Sequence, residues 1–169
     1  LIEGEHLISM CDAIECIFTT NEKYINEKCN VYYVTDAIMK KMSFVEAPQG
    51  IIAIVKKNKH EINYSLKRYL LCDGVSDPGN MGTIIRTALA FHVDMVVLAN
   101  GSVDIYNDKV IRGSQGALFE IPIVYTSLNE CIKKLQANNV KVYASTLSKR
   151  SINLKDVTSI DKYALIVGN

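Results

Sequence analysis

Residues 73–92 read DGVSDPGNMGTIIRTALAFH. This stretch follows a short apolar run at 69–72 and holds three glycines and Pro78. It then passes into a segment where Met81, Ile84, Ile85, Ala88 and Phe91 or His92 recur at helical spacing. Glycines permit positive φ and close approach of backbone to a ligand, and a helix start offers unpaired N–H groups, so an anionic group is expected to dock at the turn. The spacing matches neither the G-x-G-x-x-G fingerprint of dinucleotide folds nor the P-loop with its Gly-Lys-Ser/Thr ending. Asn80 stands where a helix cap belongs. Arg86 lies about 120° around the helix from the apolar stripe, the position of a solvated surface arginine.

Outward from this stretch, strand patterns at 69–72, 95–98, 121–125, 140–145 and 163–167 alternate with helical patterns near 80–91, 107–117 and 127–138. Such alternation predicts right-handed βαβ crossovers and a parallel sheet with helices on both faces. Ligands then bind beyond the carboxyl ends of the strands, in the loops after Cys72, Leu98, Ser145 and Val167. Towards the N-terminus, Leu7, Ile8, Cys11, Ile14 and Ile17 recur at helical spacing, 31–34 and 50–55 read as short buried strands, and 36–42 reads as a helix capped by Thr35. The polar stretch 56–68, KKNKHEINYSLKR, shows no apolar face. It marks a linker at 58–68 between a small α/β domain at 1–57 and a parallel-sheet domain at 69–169.

With 169 residues, 49% hydrophobic and 22% charged, the composition is that of a folded globular chain. The formal net charge of +1 means that a nucleic-acid partner must be held by a local basic patch. No run approaches the ~20 apolar residues of a bilayer span, and Glu3 and Glu5 stand where a signal sequence would be basic and then apolar, so a cytoplasmic location is expected. Five cysteines, none in a Cys-x-x-Cys pair, read as free thiols. His6, His60 and His92 lack metal-ligand spacing, and no metal is expected.

The 73–92 stretch resembles the first signature of the SpoU (TrmH) family of RNA 2′-O-ribose methyltransferases, in the SPOUT class: an Asp-Pro-x-Asn-x-Gly loop, here Asp77, Pro78, Asn80 and Gly82, leads into a helix with Arg86. YNDKVIRGSQGAL at 106–118 resembles the family's middle segment through Arg112, Ser114, Gly116 and Ala117, ahead of a short strand with Pro122. LIVGN at 165–169 resembles the opening of the second signature. IEGEH at 2–6 and APQGIIAI at 47–54 resemble the start and the last strand of the small RNA-binding domain found in the rRNA-modifying branch.

This resemblance implies an α/β knot fold and methylation of a ribose 2′-hydroxyl in RNA, 23S rRNA foremost, by S-adenosylmethionine. It makes Arg86 the central catalytic residue with Asn80 beside it. An arginine guanidinium stays protonated, so phosphate binding and stabilisation of a developing alkoxide suit it better than a base role. The implied cofactor residues are Thr146, Leu147, Ser148, Ile166, Val167, Gly168 and Asn169. RNA contacts are expected from Arg112, Ser114, Lys149, Arg150, Lys56 and Lys57, with Lys59 nearby. Tyr32 and Tyr33 read as core, with stacking on unpaired bases the alternative they share with Tyr64.

The family's tail beyond Gly168-Asn169 closes the cofactor pocket, forms the knot and supplies much of a homodimer interface. A chain starting at Leu1 and stopping at Asn169 is therefore expected to be an incomplete, inactive form. The competing readings are a non-catalytic RNA-binding relative, a tRNA 2′-O-methyltransferase, and a nucleotide-binding α/β enzyme of another kind.

Overall fold

The computed structural model describes residues 1–149, 151–158 and 160–168. A smaller sheet comes first, built from β1 (Ile2–Glu3), β2 (Ile14–Thr19), β3 (Asn30–Tyr33) and β4 (Ile51–Val55) in the order β1-β4-β2-β3. Two short helices accompany it, α1 (Glu5–Ser9) and α2 (Asp36–Met42). The expected cap of α2 is present, with the Thr35 hydroxyl accepting from the Ile38 N–H. The helical reading from Leu7 to Ile17 holds only for its first turn. α1 closes with the Cys11 N–H donating to the Ile8 carbonyl. Ile14 and Ile17 instead belong to β2, where pairing with β3 and β4 overrides the helical spacing.

The larger sheet contains β5 (Arg68–Asp73), β6 (Met95–Ala99), β7 (Ile123–Thr126), β8 (Lys141–Ala144) and β9 (Tyr163–Gly168). Its order is β7-β6-β5-β9-β8 and every pairing is parallel, as expected. Side chains alternate along these strands. Leu70, Cys72, Val96 and Leu98 face α3 (Pro78–Ala90) and α4 (Asp108–Ser114), while Tyr69, Leu71, Met95 and Val97 face α5 (Leu128–Ala137) through Cys131 and Leu135. β7 starts later than expected because Pro122, which lacks an N–H, contributes only its carbonyl, accepting from the Val96 N–H.

α3 and α4 meet at a glycine seam. A Cβ on Gly82 would lie 2.8 Å from the Gly113 Cα, so only glycine lets the two backbones approach this closely.

The two sheets share one apolar core. Ile2, Leu7, Ile8, Cys11, Ile17, Ile51 and Ala53 form a continuous cluster with Cys72, Met81, Ile85, Val110, Ile111 and Leu118. Met10 fills the space where Gly116, at φ 89°, would otherwise carry a Cβ. The 56–68 stretch is also better anchored than its composition suggests: Ile62, Tyr64 and Leu66, at spacing two, pack on the α5 side of the larger sheet.

Candidate active site

The junction between β5 and α3 is set by Asp77 and Pro78. Asp77 has extended backbone, and its carboxylate accepts from the Asn80 N–H at 2.7 Å. Pro78 follows in the first turn, where its missing N–H costs nothing. The cap is thus Asp77 and not Asn80, a reading the Asp-Pro pair could have supplied. The Asn80 side chain is left exposed, with no hydrogen bond among the described residues. The expectation that an anion docks on this helix start is also corrected, because a carboxylate already occupies it.

Arg86 stands six residues further on, about 9 Å along the axis at 1.5 Å per residue. It is exposed, makes no ion pair among the described residues, and is the one charged side chain of α3. Thr83 and Thr87, exposed on the same side, complete an uncharged face around it. The apolar stripe ends earlier than expected: Met81, Gly82, Ile85 and Ala88 are buried, whereas Phe91 is 74% exposed and His92 turns to φ 55°.

The loop after β6 is tied to the loop after β5, with the Val103 N–H donating to the Val75 carbonyl at 3.0 Å. Tyr125 fixes it from β7. Its hydroxyl donates to the Val103 carbonyl at 2.7 Å and accepts from the Ile105 N–H at 2.9 Å. Burial raises this phenol above its ordinary range, so it remains a donor. Tyr106 reaches back to the chain before β5: its hydroxyl donates to the Asn58 carbonyl at 3.1 Å, and Lys57 Nζ lies 4.5 Å from its ring centroid.

α4 presents Arg112, half-exposed and paired with Asp108 at 2.8 Å. Ser114 is fully buried, and its hydroxyl donates to the Ile111 carbonyl at 2.8 Å. The RNA contact expected of Ser114 is therefore replaced by a role inside the helix end. Gln115 follows in the left-handed conformation and closes α4.

At the carboxyl end of β9, Gly168 is in register with Asp73, and a Cβ there would collide with the Asp73 carbonyl oxygen. Ile166 and Val167 are half-buried in the sheet, one packed towards α5 and the other towards α3. Thr146 and Ser148, after β8, line a cavity of about 830 Å³ together with Tyr143, Ser151, Tyr163 and Leu165. Leu147 turns away from it, fully exposed. Lys149 and Lys56 are exposed, while Arg150 and Asn169 lie outside the described residues. Cys72 is no nucleophile, since burial pushes its thiol up to about 12. Among the described residues, no group of His, Cys, Asp and Glu could hold a metal, and no helix is long and apolar enough to cross a membrane.

The same architecture occurs in the SpoU methyltransferase AviRb from Streptomyces viridochromogenes, determined in complex with the cofactor AdoMet. It superposes with a TM-score of 0.82 at 20% identity, over 99% of this chain and 72% of that one. The fold is that of a SpoU-type methyltransferase. The chain belongs to the SpoU rRNA Methylase family, whose sequence profile matches residues 67–169. It is 33% identical to the 23S rRNA (guanosine(2553)-2′-O)-methyltransferase RlmP of Bacillus subtilis, an alignment that takes in 100% of this chain and 71% of that protein. It is 31% identical to human mitochondrial rRNA methyltransferase 3, over 86% of this chain and 39% of that protein.

Proposed function

We propose that the protein methylates a ribose 2′-hydroxyl in ribosomal RNA, with 23S rRNA as substrate and S-adenosylmethionine as methyl donor. The observation that carries this reading is the Asp77–Arg86 junction, set at the carboxyl end of a parallel sheet inside a family match that covers that whole sheet. The likeness to RlmP along the entire chain supports a ribosomal rather than a transfer RNA.

S-adenosylmethionine, when bound, supplies an electrophilic methyl group. The residues present fit it: the cavity after β8, about 830 Å³, is within the roughly 300–1,000 Å³ of small-molecule sites. Its walls combine the hydroxyls of Ser145, Thr146, Ser148 and Ser151 with apolar and aromatic side chains. Thr146 and Ser148 would hold the cofactor, with Gly168 at the neighbouring strand end. Arg86 offers a guanidinium fork to the phosphate beside the target ribose and to the oxygen as it loses its proton. Asn80, relieved of capping, orients the ribose through its amide. Arg112 can exchange its half-exposed partner Asp108 for a phosphate at little cost, and Lys149 and Lys56 are further phosphate contacts.

In this reading residues 1–57 bind RNA and residues 69–169 carry the chemistry. The enzyme works in the cytoplasm as a homodimer, with Phe91, exposed at the end of α3, as a candidate contact. Mapping 2′-O-methyl marks across cellular rRNA with and without the gene tests the function. One mark should vanish on deletion and return with the wild-type gene but not with Arg86→Ala. An unchanged rRNA map would refute it.

A further inference from the structure

The outer side of the smaller sheet is only half covered. By strand alternation Cys16, Phe18, Asn30, Tyr32, Ile52 and Ile54 point away from the shared core. α2 shields one end of this side, where Met39 and Ile52 are buried. Beyond it, Phe18 and Tyr32 sit opposite each other in the β2–β3 register, with ring centroids 5.3 Å apart and planes at 25°. Tyr32 is 48% exposed and Ile54 37%, so the ring that stacks on Phe18 also meets solvent, on the edge strand of the sheet.

Lysines border this side of the sheet. β4 runs on into Lys56, whose N–H donates to the Ala13 carbonyl at 2.9 Å. Alternation puts the exposed Lys56 side chain on the same side as Ile54. The next residue, Lys57, alternates to the opposite side and lies over Tyr106 in the loop that adjoins the β5–α3 junction. The last turn of α2, which carries the exposed Lys40 and Lys41, ends at Ser43. Glu3, on the same side at the far edge, has its carboxylate engaged by the Ser43 hydroxyl at 2.8 and 2.9 Å.

An aromatic face bordered by ammonium groups suits a nucleotide whose base is unpaired: the base stacks and the flanking phosphates meet lysines, whereas a duplex keeps its base faces inside. We infer that this shelf binds unpaired nucleotides of the RNA substrate, with one base stacked on Tyr32 and the phosphate backbone passing the lysines that border the sheet. The inference rests on the RNA-methylating reading given above and adds a second contact surface outside the catalytic end.

The chain contains no tryptophan, so Tyr32→Trp creates a single reporter. Titration with a single-stranded oligoribonucleotide should quench its emission, and a duplex of equal length should not. By anisotropy with labelled RNA, Tyr32→Thr should weaken binding about five- to a hundred-fold while Tyr32→Phe stays within about twofold of wild type. Unchanged tryptophan emission at RNA concentrations where the wild type is bound would overturn the shelf and leave the RNA reading intact. A wild type that binds no RNA would overturn both. If Tyr32→Thr altered the oligomeric state by light scattering and left RNA affinity unchanged, the shelf would be a contact between copies and the inference would fail. Should Tyr32→Thr melt early, the emission of Tyr32→Trp decides the matter.

Discussion

A single methyl group added at Gly82 tests how α3 is held. In Gly82→Ala the new Cβ would lie 2.8 Å from the Gly113 Cα, 2.9 Å from its carbonyl carbon and 3.0 Å from the Val110 oxygen. All three are backbone atoms of α4, so no side chain can rotate away and the helices must separate. Overpacking of this kind costs roughly 1–3 kcal/mol. Replacing a helical glycine returns about 0.5–1 kcal/mol through reduced chain entropy. The balance is a net loss of about 1–2 kcal/mol, equivalent to a fall in Tm of roughly 2–8 °C. Urea unfolding followed by circular dichroism measures it, with Gly79→Ala as the comparison, because a Cβ there meets only the Asp77 Oδ1 at 3.2 Å. Gly82 is one turn before Arg86, so separation of the helices should also displace the guanidinium and lower methyl transfer. A Gly82→Ala variant as stable as the wild type would show that the seam is not close-packed and refute the reasoning.

Three further outcomes follow from the same geometry. Asp77→Ala removes the side-chain acceptor of the Asn80 N–H and should cost about 1 kcal/mol in urea unfolding, whereas Asp77→Asn should recover most of it. Arg86→Lys keeps the charge and loses the fork, so methyl incorporation into rRNA should drop on the order of a hundredfold with an unchanged melting curve. Burial would raise the Asp94 carboxyl, but hydrogen bonds from the Arg68 N–H, the Arg68 guanidinium and the Lys67 N–H outweigh it and hold the group below its usual range. Its contribution is therefore present above the unfolded carboxylate value and lost as pH falls through the lower folded one. Asp94→Asn should be less stable than wild type at pH 7 and converge with it as pH falls through the lowered folded value.

The features legible from sequence were those set by near neighbours. Thr35 and the 36–42 helix follow from one hydroxyl and one apolar face, and the five parallel strands from runs of β-branched and aliphatic residues between turn signals. The features that escaped depend on distant partners. Ile14 and Ile17 read as helix until β3 and β4 claim them. Tyr32 and Tyr33 read as core because a strand's apolar residues usually are, yet β3 is an edge strand and both rings are about half exposed. Ile62, Tyr64 and Leu66 recur at spacing two, which makes no helical face, yet they pack on the larger sheet. At the site, the signature located the β5–α3 junction but not the division of labour within it. Of the residues expected around the cofactor, Ile166 and Val167 serve the sheet, and Leu147 points outwards.

The glycines of the 73–92 stretch show why that division was hidden. A glycine-rich turn before a helix suggests a phosphate cradle, but these glycines have separate duties. Gly74 takes φ 66° with open space around it, Gly79 sits against the capping carboxylate, and Gly82 is buried in the seam with α4. Asp77 fills the helix start with its own negative charge, which repels an incoming phosphate from the N–H groups that would otherwise receive it. Under the proposed function, anion recognition at this end of the sheet would fall to Arg86, the single cation of α3, on an exposed face that carries no carboxylate of that helix. In that proposal the capping aspartate and the arginine work as a pair: one closes the dipole to anions, and the other would offer them a directed fork further along the helix.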